Sequence, residues 1–374
     1  MDYDVVIIGA GVAGLAAAAN AADGKKSVLI VERHGSFGQE TSSRSSEVIH
    51  AAIYYPKGSL KAELCVKGNH LLYELAKKHS IPFNNCGKLI VAVNEDEEKK
   101  LPGIMAKAEE IGAEGLRIVD RKEMARLEPK VSALSAIYCP TSGIIDSHSL
   151  MKYFLGKAKD GGADCLFGGE VSAIEKTNGG YELSVSETNG GVSKVSAVIV
   201  VNCAGLSSGD VAAMAGFDVD KLNYRISYRK GVYFRVLRKL DRMPQMLIYP
   251  VPPEDATVGV HTVPELSGGM RLGPRDEWSK TLDYSVDGKL LPVFHEAVKS
   301  FLPVLDADDI APDMAGFQAK RYGPGEPSRD FVIREESGNG FPGFINLVGI
   351  ESPGLTSSPA IGLMVKELID GCLG

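Results

Sequence analysis

A short N-terminal segment limits the fold more than any other part of the chain. Val5-Val6-Ile7-Ile8 is a continuous apolar run, the pattern of a buried parallel strand. Gly9-Ala10-Gly11-Val12-Ala13-Gly14 follows, and the Ala-rich stretch from Leu15 to Ala22 reads as a helix ended by Gly24. Ser27 to Val31 reads as a second strand, closed by Glu32, 18 residues after Gly14. Strand, glycine turn, helix, strand and terminal acid together make a βαβ dinucleotide-binding unit. Gly9 permits the tight turn, Gly11 lets the backbone approach a pyrophosphate, and Gly14 lets the helix pack close to the strand. The helix N-terminus offers unpaired N–H groups to phosphates. Glu32 can accept hydrogen bonds from ribose hydroxyls. The turn alone does not separate NAD from FAD.

The chain has 374 residues. At roughly 150 residues per domain, that implies two domains or one large α/β unit with an insertion. A hydrophobic fraction of 44% and a charged fraction of 24% belong to a globular protein and exclude a disordered or fibrous one. The net charge is -7 and no Lys/Arg tract stands out, so nucleic acid is not an expected partner. No apolar run reaches the ~18 residues of a bilayer span; peripheral membrane contact is left open. No secretory signal is visible. The six cysteines, Cys65, Cys86, Cys139, Cys165, Cys203 and Cys372, form no C-x-x-C pair. No metal site is therefore expected, and dispersed thiols suit a reducing cytoplasm.

Two later segments favour FAD. From Val171, a strand, the Asn178-Gly179-Gly180 turn, an alternating strand at Tyr181, Leu183 and Val185, the Asn189-Gly190-Gly191 turn and an apolar strand, Val195 to Val201, predict a three-stranded meander. It feeds Asn202-Cys203-Ala204-Gly205. Such a meander recurs in FAD proteins of the glutathione-reductase type. Near the C-terminus, Phe344 to Val348 reads as a strand, Gly349 to Thr356 as a turn, and Pro359 to Ile369 as a helix with Gly371 just past its end. A helix N-terminus there can stabilise negative charge on a reduced flavin. Only one dinucleotide fingerprint is present, so the substrate is expected to reduce the flavin directly.

The segment Glu40 to Pro56 (ETSSRSSEVIHAAIYYP) resembles the flavin-facing motif of the D-amino-acid-oxidase-like FAD superfamily, and most of all the L-2-hydroxyglutarate dehydrogenase group, related to glycerol-3-phosphate oxidases. Pro56 to Cys65, Gly143 to Leu150, Ile248 to Pro252, Gly259 to Thr262, Gly323 to Ile333 and Gly349 to Thr356 extend the resemblance over nearly the whole chain. It implies a mixed α/β (α+β) fold. A Rossmann-like FAD lobe of glutathione-reductase type (residues 1–80, 147–220 and 325–374) would interleave with a mixed β-sheet substrate lobe (81–146 and 221–324). The latter contains β-like runs at Val232 to Val236, Met246 to Tyr249 and Val258 to His261, and a charged helix over 95–111.

The implied activity is FAD-dependent hydride removal from a small 2-hydroxy acid, with L-2-hydroxyglutarate the family default. Amine or amino-acid oxidation and a flavin-binding scaffold with little turnover are the alternatives. The electron acceptor, whether oxygen, a quinone or a protein, is not readable. Cofactor contacts are expected from Gly9, Gly11, Ala13, Gly14, Glu32, Arg33, Thr41, Ser42, Arg44, Ser45, Ser46, Val171, Ala204 and Gly205. Gly349, Ser352, Gly354, Leu355 and Thr356 join them. Cys372 lies outside the flavin turn, so the FAD is expected to be non-covalent. Ser45 and Ala52 replace the more usual Asn and Gly.

His50 directly follows the flavin motif, and a histidine pKa near 6.5 suits a general base; His261, in the GVH match, is the second candidate. His34, His70, His79 and His295 read as surface, and His148 as a loop or cap residue. Tyr55, Tyr249, Gln318 and Lys320 are expected to touch substrate. Gly316-Phe317-Gln318-Ala319-Lys320 departs from the family's G-x-R-P-K, whose Arg clamps a substrate anion. Gln318 thus predicts a substrate with one anionic group fewer or differently placed.

Overall fold

The computed structural model describes residues 1–187, 190–252 and 259–374. Its main sheet is built on the N-terminal unit. Tyr3–Ile8 pairs in parallel with Val28–Glu32 on one side and with the end of Val192–Asn202 on the other. Asp164–Phe167 extends the sheet beyond Val28–Glu32, and Phe341–Val348 pairs in parallel with Val200 to Asn202. Every residue of Val28–Glu32 is buried, as a continuous apolar run in a covered parallel sheet requires. The chain reverses its direction of travel across the sheet at Tyr3–Ile8, so its carboxyl end opens a crevice between neighbours.

The meander forms as the turn chemistry predicts. Gly169–Thr177, Gly180–Glu187 and Val192–Asn202 pair antiparallel in sequence, with Gly179 at φ 94° in the first turn. Asn189 lies outside the described residues. The helices Val12–Ala21, Leu60–His79, Ser147–Asp160 and Gly354–Leu373 share one apolar core against the main sheet. Close helix contact rests on glycine here. A Cβ on Gly362 would sit 2.5 Å from the Ala16 carbonyl oxygen, and one on Gly68 2.3 Å from that of Thr356.

Two further sheets stand over the carboxyl end. One orders His261–Pro264, Met270–Ser279, Ser227–Val236 and Ile310–Lys320. The other orders Leu247–Pro250, Lys88–Ala92, Ser135–Cys139 and Arg117–Asp120. Together these sheets give the mixed α/β fold that the sequence predicts.

Some boundaries differ. The C-terminal helix starts at Gly354, five residues before Pro359, so Gly354, Leu355 and Thr356 form its first turn. Pro359 stands inside the helix and cannot donate to the Leu355 carbonyl, which accepts from Ser358 Oγ at 2.8 Å instead, and the helix continues past it. Gly371 and Cys372 lie inside the helix, not beyond it. The charged helix is Glu95–Glu110. Val258 falls outside the described residues. His148 is in the first turn of Ser147–Asp160, stacked on Phe37 at 4.8 Å.

Candidate active site

The crevice at the carboxyl end of the main sheet holds two cavities, of about 270 and 320 Å³, whose linings share Gly11, Thr41, Ser42, Cys203 and Gly205. They form one elongated groove. Its first half runs past Gly9, Glu32, Arg33, Val171 and Ala204. The Glu32 carboxylate is fixed there by backbone donors, accepting from Ala10 N–H at 2.7 Å and His34 N–H at 2.9 Å. Arg33 and His34 both reach Glu40. His34 therefore borders the groove and is not a plain surface histidine, because Glu40 draws its ring inward.

Midway, the first helix presents its N-terminus. Val12 N–H donates to Ser42 Oγ at 3.0 Å, which locks the loop Gln39 to Ser46 over the turn. A Cβ on Gly11 would lie 3.2 Å from the same hydroxyl. Gly9 takes φ 104° and a Cβ there would meet the Cys203 carbonyl at 2.6 Å. Gly14 does not line the groove; its missing Cβ admits the Gly9 carbonyl, the close packing expected of it. An acid aimed at one end, a helix N-terminus in the middle and glycines where side chains would block the floor fit an extended dinucleotide such as FAD.

The second half of the groove is lined by Ala13, Arg44, Ser45, Ser46, Tyr55, Ser352, Gly354 and Leu355 on its main-sheet side. Two expected contacts do not line it. Gly349 faces Arg321, whose Cγ would stand 2.4 Å from an added Cβ. Thr356 is buried, and its hydroxyl donates to the Val48 carbonyl and accepts from His50 N–H at 3.0 Å. Ala52 adopts φ 55°, a conformation that favours glycine, which accounts for the glycine usual at that position.

His50 projects into this half from the end of the strand Val48–Ile49. Its carbonyl accepts from Asn69 Nδ2 at 3.0 Å, so two helices hold its backbone from either side. Among the described residues its ring has one hydrogen-bond partner, Nε2 to Ser352 Oγ at 3.4 Å. Burial, reinforced by Lys88 and His261, pushes the His50 pKa well below 6.5, which leaves a neutral imidazole at neutral pH. His261 shares the cavity. Its Nδ1–H donates to the Gly259 carbonyl at 2.9 Å, and its ring stacks on Tyr249 at 3.7 Å. Burial lowers its pKa to about 3.

The far wall comes from the sheet containing Ile310–Lys320. Gly316, Gln318 and Lys320 alternate onto the cavity face, opposite Gly231 and Arg229 in register. Gly316 allows this approach, since a Cβ there would stand 2.2 Å from the Arg44 carbonyl oxygen. Gln318 therefore faces the chamber as expected. Lys320 also lines it, but its ammonium is bound to Glu351, which Lys61 holds from the other side at 2.6 Å. Burial opposes the charge on Lys320, yet the Glu351 carboxylate keeps its pKa raised. Lys320 is thereby committed to an internal ion pair.

Sequence reasoning passes over Lys88, Tyr233, Asp276 and Glu351, all of which line the same chamber. Asp276 sits 4.0 Å from Arg229, and burial raises its pKa. Glu351 is 290 residues from its partner Lys61, and nothing local marks the pair. Lys88 carries a weak signal: a lysine opening the otherwise apolar strand Lys88–Ala92.

The family described as FAD dependent oxidoreductase matches residues 4–368. The chain is 36% identical to the mitochondrial L-2-hydroxyglutarate dehydrogenase of Arabidopsis thaliana, over 96% of this chain and 81% of that one. It is 30% identical to the mitochondrial L-2-hydroxyglutarate dehydrogenase of Caenorhabditis elegans, over 98% and 92%. The dithionite-reduced L-α-glycerophosphate oxidase of Mycoplasma pneumoniae, solved with FAD bound, superposes with a TM-score of 0.86 at 25% identity, covering 98% of this chain and 94% of that one.

Proposed function

The chain belongs to the FAD dependent oxidoreductase family, and from that premise we propose that it oxidises the C2 alcohol of a small 2-hydroxy acid to the 2-oxo acid. FAD, when bound, supplies the two-electron acceptor for the hydride that leaves C2. The protein's part is to hold the acid, exclude water and take the hydroxyl proton. One observation carries the reading. His50 is a neutral, half-buried imidazole whose backbone is clamped and whose ring points, nearly free, into a chamber continuous with the nucleotide groove.

His50 serves as the base, since its ring is uncommitted. His261 is a positioning residue: the Gly259 carbonyl fixes its tautomer, and its stack on Tyr249 shapes the wall. Loss of hydride and proton from R–CHOH–COO⁻ leaves R–CO–COO⁻, with the proton on the His50 ring, so atoms and charge balance. The C-terminal helix directs its N-terminus at the chamber, where it favours negative charge. We take the FAD as non-covalent, since Cys203 is the one cysteine lining the groove and its thiol is buried and pushed up to about 12. Six unpaired thiols support a reducing, cytoplasmic setting. Among the described residues no helix is long and apolar enough to cross a membrane.

L-2-hydroxyglutarate is the substrate that the relatives' names suggest, yet the neutral Gln318 points to an acid with fewer or differently placed charges. The test is anaerobic mixing of the purified yellow protein with a panel of 2-hydroxy acids, glycerol 3-phosphate and amino acids, watching flavin absorbance bleach. Fast bleaching by hydroxy acids, with L-2-hydroxyglutarate not the best of them, is expected. Bleaching by amino acids alone would overturn the reading.

A further inference from the structure

Lysines and arginines around the chamber are mostly spoken for. Lys61 and Lys320 both bind Glu351, and the Arg44 guanidinium lies 4.3 Å from the Tyr284 ring centre. Lys88 differs. It opens a strand of the overlying sheet, is 2% exposed and lines the same chamber as His50 and His261. Its Nζ lies 4.0 Å from the centre of the Tyr249 ring. No carboxylate pairs with it among the described residues. A buried ammonium without an anion is costly unless a partner arrives. In a substrate chamber, that partner is a ligand anion.

We propose that Lys88 is the cation that receives the carboxylate of the substrate, beside His50 and against the Tyr249–His261 stack. The assignment rests on reading this cavity as the substrate chamber. It gives Lys320's expected role to a residue whose ammonium is free for it. The surroundings of Lys88 agree. Facing it are Tyr249 from one neighbouring strand, Cys139 from the other, Cys86 from its own approach, Cys65 from the helix Leu60–His79, and His50 and His261 across the chamber. Burial holds both histidines neutral and pushes the thiols of Cys65 and Cys139 up to about 12 and that of Cys86 to about 11. None of these groups neutralises an ammonium near pH 7. Burial lowers the Lys88 pKa to about 8, so the cation is present at neutral pH and lost just above it.

The test is binding of oxalate, a carboxylate with no C–H to oxidise, to the FAD-loaded protein, read as a change in flavin absorbance. Wild-type affinity is expected to be level near pH 7 and to fall by about tenfold per pH unit above roughly 8. Lys88→Met should weaken oxalate at least tenfold and flatten that dependence, while Lys88→Arg restores most of the affinity. If Lys88→Met does not hold FAD, the wild-type pH series and Lys88→Arg still decide. Oxalate binding that is pH-independent in the wild type, equal in Lys88→Met, or absent from the wild type overturns the proposal. The readout needs no turnover. Lys88-dependent oxalate binding without bleaching by any hydroxy acid would remove the functional reading and leave the anchor standing.

Discussion

His50 combines a rigid backbone with a free ring, and that division predicts what its replacement does. His50→Gln keeps the N–H that meets Thr356 and the carbonyl that meets Asn69, so FAD should stay bound. Loss of the base should slow flavin reduction by ~10²–10⁴-fold, the usual span for general base catalysis. Stopped-flow reduction under argon measures it; a rate within a few-fold of wild type would move the base to His261. The pH profile adds a sign. A base with a pKa held well below 6.5 stays unprotonated as pH falls through 6.5, so kcat/KM should hold its plateau there and decline only at more acid pH. His50 was legible because it adjoins a recognisable motif. Lys88 was not, because its meaning depends on the lack of a paired carboxylate among the described residues, and sequence does not show what fails to approach a side chain.

At the scale of elements, the strand Ile310–Lys320 is where the proposed specificity can be tested. Strand alternation sends Gly316, Gln318 and Lys320 to the chamber, while Phe317, which also borders it, packs with Ala319 in a small core with Leu206. A substitution at 318 therefore leaves that core alone, and Arg can be tested without altering Ala319. A hydrogen bond to a charged partner contributes ~1.5–3 kcal/mol. Arg229, directly opposite Gln318 in register, takes some of this back by like charge. Gln318→Arg should raise kcat/KM for L-2-hydroxyglutarate about tenfold, most of it through KM, with little change for monocarboxylic hydroxy acids. Steady-state kinetics with a dye acceptor at one ionic strength checks this. An unchanged kcat/KM for the dicarboxylate would place its second carboxylate elsewhere. The alternation was readable from sequence. The Lys61–Glu351–Lys320 cluster, which ties this strand to the C-terminal turn and to the helix Leu60–His79, was not, because it joins three distant segments.

For the molecule as a whole, the groove is the seam. The main sheet supplies its floor, the sheet with Ser227–Val236 supplies the far wall, and five residues are common to its two halves. A ligand filling both halves holds the seam shut, whereas one filling only the Glu32 half contacts the main-sheet side alone. Binding to the folded state stabilises by RT ln(1 + [L]/Kd), about 2.7 kcal/mol at a hundredfold excess over Kd. Flavin-stripped protein should therefore melt several degrees higher with FAD, and the shift should grow with FAD concentration. ADP, which carries the adenosine and pyrophosphate but no flavin, should give a smaller shift and compete with FAD. FMN, which lacks the adenosine that Glu32 would grip, should give less still. Glu32→Ala removes the acceptor that two backbone donors hold in place, and should weaken FAD and ADP together while leaving FMN alone. Thermal melts of both proteins with each of the three ligands measure how the groove divides between its ends. NAD raising the melting point as far as FAD does would show that the flavin half adds nothing, and the two cavities would then have to be read as separate sites.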